Sequence, residues 1–156
     1  MSAEFNVWAA GDSHVGTDLK HKRESLAEAL AQSEGRGPGP GFPWDLMLDV
    51  GDLSGNQLAP DDAEGREIVR QYGVLRAPHR AQIYNIAGNH DATGPRDPRP
   101  QWWFRQYGDP LGEHAADSGV DPARRPFAVA GEWDHYQFTA GNVLFPLKTP
   151  HVQLPA

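Results

Sequence analysis

Three short apolar runs punctuate the N-terminal part of the chain, and each is closed by a glycine followed at once by a residue able to bind a metal. Residues 5–10 lead into Gly11-Asp12-Ser13-His14, residues 46–50 into Gly51-Asp52-Leu53-Ser54-Gly55-Asn56, and residues 82–87 into Gly88-Asn89-His90-Asp91. Apolar runs of this length, stopped by glycine, read as buried strands. Helical patterns lie between them. Residues 19–33 put Leu19, Leu26, Leu30, Ala27 and Ala31 on one side. Residues 61–75 turn Ile68, Val69, Tyr72 and Leu75 inward, with Asp61 and Asp62 as N-caps. Strand, helix, strand, helix, strand predicts a parallel sheet joined by right-handed crossovers.

In such a sheet ligands collect outside the carboxyl ends of the strands. Three neighbouring strand ends therefore bring Asp12, His14, Asp52, Asn89 and His90 together. Asp12 and His14, two positions apart in a turn, can face one ion. Asp52 has two oxygens and can bridge two cations about 3.5–4 Å apart. Asn89 can offer an amide oxygen to a second ion without adding charge. The glycines let the backbone turn sharply and approach closely. Each element alone is a common turn; the three together, each directly after an apolar strand, define the candidate site.

Composition narrows the chemistry. The 156-residue chain has no cysteine, so disulfides, thiolate metal sites and cysteine nucleophiles are excluded. Oxygen and nitrogen ligands suit Mn, Fe, Zn, Ni or Co without choosing among them. A formal net charge of -7 disfavours a long nucleic acid as partner. A small anionic substrate fits where bound cations reverse the local field. No apolar run is long enough to span a bilayer, and residues 1–5 carry neither a basic nor an apolar leader segment, so a cytoplasmic protein is expected.

The rest of the chain is richer in loops. Residues 35–41, with their alternating Gly and Pro, predict a flexible connector; a phosphate cradle would need a Lys-Ser/Thr ending. Trp102, Trp103 and Phe104 predict a short helix over 101–107, packed in the core rather than stacked on bases. Residues 136–139 and 143–145 predict a hairpin turned at 140–142. Arg96, Arg99, Arg105, Arg124 and Arg125 fall in or near the later loops and receive no role.

Taken in order, Asp12-x-His14, Gly51-Asp52-x-x-Gly55 and Gly88-Asn89-His90-Asp91 resemble the motifs of the calcineurin-like metallophosphoesterase superfamily: Asp-x-His, Gly-Asp-x-x-Gly and Gly-Asn-His-Asp/Glu. The resemblance covers about residues 5 to 145 and includes Tyr136-x-Phe138 with Gly141-Asn142-Val143-x-Phe145. It implies an α/β/β/α sandwich with two divalent or trivalent metal ions at the strand ends. Asp12 and His14 would bind the first ion, Asp52 would bridge, and Asn89 would bind the second. His90 would be the catalytic residue, a general acid or transition-state contact at the leaving group. The implied reaction is hydrolysis of a small phosphate ester by a metal-activated hydroxide, as a phosphatase or phosphodiesterase. No covalent intermediate is needed, so Ser13 and Ser54 are turn residues. Glycine at position 55 speaks against the purple acid phosphatase branch, which carries tyrosine there.

The chain departs from the family pattern after His90. The family takes further histidines from its C-terminal half, ending in Gly-His-x-His, whereas this chain has only His114, His135 and His151. These three are expected to be surface or structural residues. The expectation is a domain over 1–145 with an incomplete second sheet, followed by an irregular Pro-rich tail over 146–156. Such a chain would be truncated or altered at its C-terminus, and would associate with itself or with a C-terminal complement. The alternative function is a non-catalytic, metal-binding or partner-binding remnant of that family.

Overall fold

The computed structural model describes residues 5–77, 79–94 and 97–150. Arg96, His151 and the end of the tail (151–156) lie outside the described residues. Three strands form the first sheet: β1 (Val7–Ala10), β2 (Leu46–Asp49) and β3 (Ile83–Asn85). They run parallel in the order β1-β2-β3, with Ala10 beside Asp49 and Asp49 beside Asn85 at the carboxyl end. That alignment puts all three glycine-led loops on one edge. The expected alternation of strands and helices is present.

The first crossover differs from the single helix expected over 19–33. A short α1 (Thr17–Lys20) stops, and α2 (Ser25–Ser33) starts afresh. Asp18 causes the break. Its carboxylate accepts N–H bonds from Gly16, Leu19 and Ser25, drawing the chain into a loop that competes with the helical ladder. Lys22 then takes φ 59, which no α-helix contains, and Leu19, expected on the inner side, is left exposed. The second crossover helix, α3 (Asp62–Tyr72), begins as expected: Asp61 is the N-cap and accepts the N–H of Glu64. Residues 35–41 are irregular and fold back on the end of α2, where Phe42 donates its N–H to the Ser33 carbonyl.

One face of the parallel sheet packs on the helices. Met47 and Ile83 meet Leu26, Leu30, Ile68 and Tyr72 there, with Trp103, Phe104 and Tyr107 beneath. The last group comes from a π-helical turn at Phe104–Gly108 and its N-cap Trp103; Trp103 and Phe104 are fully buried, as core packing requires. The opposite face carries Leu46 and Tyr84 and packs against a second sheet. This sheet is antiparallel, in the order β4 (Ala130–Glu132), β5 (His135–Ala140), β6 (Val143–Lys148). The hairpin β5-β6 forms where expected, and Gly141 at φ 61 fits the first position of its two-residue turn.

One expectation for the C-terminal part needs correction, and one strand there matches no predicted element. The irregular tail does not begin at residue 146, because β6 continues through Pro146, Leu147 and Lys148. Proline is tolerated because β6 is an edge strand, where a missing N–H need not break the ladder. β4 was not anticipated at all. Its three residues, Ala130, Gly131 and Glu132, are all exposed and carry no apolar alternation to signal a strand. Among the described residues, no helix is long and apolar enough to cross a membrane.

Candidate metal centre

The loops after β1, β2 and β3 are held together mainly by backbone. Asp12 and His14 donate N–H groups to the carbonyls of Gly51 and Asp52, and Val15 donates to Leu53. A short parallel bridge joins Val15 to Ser54. The third loop joins through Asp52, whose Oδ1 accepts the His90 N–H at 2.9 Å. The approach is close enough to demand glycine. A Cβ on Gly51 would lie 2.3 Å from the Gly88 nitrogen, and one on Gly55 2.3 Å from the His14 carbonyl oxygen. Gly51 also sits at φ 98.

Three of the five predicted residues converge fully. His14, Asp52 and His90 bring one ligand atom each to within 4.8 Å of one another. His14 Nε2 is 3.9 Å from Asp52 Oδ2, and the two imidazole rings lie 4.9 Å apart. Asp12 is more peripheral: its Oδ1 is 3.7 Å from His14 Nε2, but its side chain is 79% exposed. Asn89 is exposed on the same loop as His90. The arrangement thus places His90, expected as a catalytic acid, among the convergent donors.

Two observations bear on whether these residues suit a cation. His14 Nε2 is buried and makes no hydrogen bond among the described residues, and two carboxylates lie within 4.0 Å of it. His90 Nδ1 sits 2.8 Å from the Asn56 carbonyl oxygen. A carbonyl only accepts, so Nδ1 is the N–H of that ring, and in the neutral form Nε2 keeps the lone pair. Two imidazoles and a carboxylate are a fitting set for a borderline divalent ion. They fit.

Sequence reasoning missed the residues that support this set. Asp91, fully buried, accepts N–H bonds from Ser54 and Gly88 and so ties the second loop to the third. Burial pushes its carboxyl up to about 6, opposed by those two N–H groups. Glu64, from the first turn of α3, accepts from Ser54 Oγ, the Gly55 N–H and Asn56 Nδ2. The Asp61-x-x-Glu64 spacing was the available signal, since it matches a capping box; here the Glu reaches across to the second loop instead of back to the cap. Asp49, at the end of β2, is buried and accepts from Tyr72 Oη and the Gly51 N–H. Burial raises its pKa to about 7.

The other candidates fall elsewhere. His135 pairs with Asp134 at the exposed β4-β5 turn, next to Glu132, and His114 precedes the short helix α4 (Ala115–Ser118). Arg125 is buried and donates to the Pro110 and Ala81 carbonyls, and Arg99 stacks on Trp102. Arg124 contacts the ring of His79. No family model, no curated protein and no solved structure matches this chain, so its function has to be read from the residues themselves.

Proposed function

We propose that this chain is a metal-dependent phosphoesterase of the calcineurin-like type, built on the two-sheet core of that family's α/β/β/α sandwich. The observation that carries the reading is the convergence of His14, Asp52 and His90 at three strand ends, with His14 Nε2 buried and, among the described residues, without a hydrogen bond. His14 and Asp52 would hold the ions, with Asp12 and Asn89 at the rim. Bound there, the ions supply Lewis-acid activation of water and neutralise charge on the phosphoryl oxygens.

The chain's own residues do the rest. Asp52 fixes the third loop through the His90 N–H and so sets the distance between the two imidazoles. The Asn56 carbonyl holds the His90 ring through Nδ1, leaving Nε2 to carry or release a proton. Water attacks phosphorus and gives up a proton to solvent, and the bond from phosphorus to the leaving oxygen breaks. That oxygen takes a proton from His90, which regains one from solvent.

A second reading has its own support. Among the described His, Asp and Glu residues, three converge here within 4.8 Å, with Asp12 and Asn89 exposed. That favours a single-ion site that binds metal, or a partner through it, without turnover. Elemental analysis of Mn²⁺-saturated protein, beside an Asp52→Asn control and assays on p-nitrophenyl phosphate and its bis-ester, separates the two. Two ions and turnover support the esterase; one ion without turnover supports the second reading. Absence of bound metal overturns both.

A further inference from the structure

A cleft of about 170 Å³ opens beside the candidate metal centre, between the β1 edge and α2. Its lining includes two small residues, Ala10 on β1 and the exposed Ala29 on α2, where larger side chains would narrow it. Its floor is Met47 and Leu26, both buried, and Trp8 forms a half-buried wall. Its rim is Gly11, Asp12 and Ser13, so Asp12 borders both the cleft and the His14 imidazole.

The lining says what would enter. It contains no Lys, Arg or His, while Asp12 and Asp49 contribute two carboxyl groups. Both Asp49 oxygens are already engaged, by Tyr72 Oη and the Gly51 N–H. The lining also carries the Ser13 and Ser25 hydroxyls. With no cation and two carboxyl groups the cleft disfavours an anion, so the guest is the uncharged part of a molecule. An apolar cavity of about 150 Å³ holds one benzene ring, so this cleft has room for a single six-membered ring. The indole of Trp8 and the thioether of Met47 both favour aromatic guests.

We propose that the cleft receives the aromatic leaving group of an aryl phosphate whose phosphoryl group sits at His14, Asp52 and His90. This rests on the esterase reading, and it assigns the substrate class that reading leaves open.

Met47 is the only methionine besides Met1, so a ¹³C-methyl label on methionine reports on the cleft floor directly. Phenol titrated into the metal-free protein is expected to shift the Met47 methyl signal, and cyclohexanol to shift it less. Ala29→Phe, which sets a ring into the cleft, should abolish the phenol shift while the melting temperature stays within a few degrees. In Mn²⁺-loaded protein, Ala29→Phe should lower kcat/KM for phenyl phosphate by at least about tenfold more than it lowers that for methyl phosphate, a comparison in which the intrinsic leaving-group difference cancels. A Met47 signal that ignores phenol, or a phenol shift that survives in Ala29→Phe, overturns the cleft assignment even if both phosphates are hydrolysed. A phenol shift without hydrolysis of any phosphate ester overturns the esterase reading and, with it, the assignment to a leaving group.

Discussion

Asp12, His14 and Asp52 all adopt left-handed backbone conformations, at φ 56, 47 and 55, although none is glycine. Such conformations cost on the order of 1 kcal/mol each and persist only where surrounding structure enforces them. Here the parallel bridge and the N–H bonds between the first two loops do so. Asp52 does most among the three, since it offers one oxygen to the His90 N–H and the other to the centre. Asp52→Asn is expected to lower Mn²⁺ affinity by at least about a hundredfold, measured by calorimetry. It should also cost more turnover than His90→Ala, because it loosens the third loop as well as removing a charge. Equal losses would argue against that double role. Asp49 gives a prediction in pH. Its folded pKa of about 7 lies above the ordinary 3.8, so the folded state holds this proton more tightly than the unfolded chain. Its contribution is complete below pH 4 and is lost as pH rises through 7, so unfolding free energy declines across that window. Urea denaturation of the metal-free protein at pH 5 and pH 8 should show the decline, and Asp49→Asn should reduce it to the part contributed by Asp91, which is raised to about 6.

Among the elements, α3 has the largest share in shaping the centre. Its N-terminal turn presents Glu64 to three donors of the second loop, and Gly65 lies flat against the Tyr107 ring. Glu64→Ala strands those donors and should destabilise the protein by about 1–3 kcal/mol, with a larger loss of metal affinity than a change on the far side of the helix. Gly65→Ala would put a Cβ 2.1 Å from the Tyr107 ring. The π-helical turn must then move, at a cost of about 1–3 kcal/mol despite the better helix propensity of alanine. Denaturant midpoints of the two variants test both statements. α1 and α2 make the complementary point. The apolar spacing over 19–33 is helical, but three N–H bonds to the Asp18 carboxylate outweigh it locally.

For the molecule as a whole, stability depends on two sheets meeting face to face. Tyr84 and Phe138 stack at 4.1 Å between centroids, Phe138 stacks in turn on Phe145, and Tyr136 Oη donates to the Asn85 carbonyl. Phe138→Ala removes the centre of that stack and should cost about 3–5 kcal/mol. Thermal melts would show whether the strand-end loops are lost with the sheet interface, as one cooperative unit requires. The outer face of the antiparallel sheet, with His135, Gln137 and Thr139, is exposed. The three parallel strands and α3 follow from the sequence alone, because short apolar runs closed by glycine and a capped amphipathic pattern are local signals. The grouping of His14, Asp52 and His90 on one edge also follows, since a parallel sheet places successive strand ends side by side. The break at Asp18, the pairing of β4, the strand beyond Pro146 and the support from Glu64 and Asp91 were decided only in three dimensions. Each depends on hydrogen bonds or packing between residues whose partners no local pattern specifies.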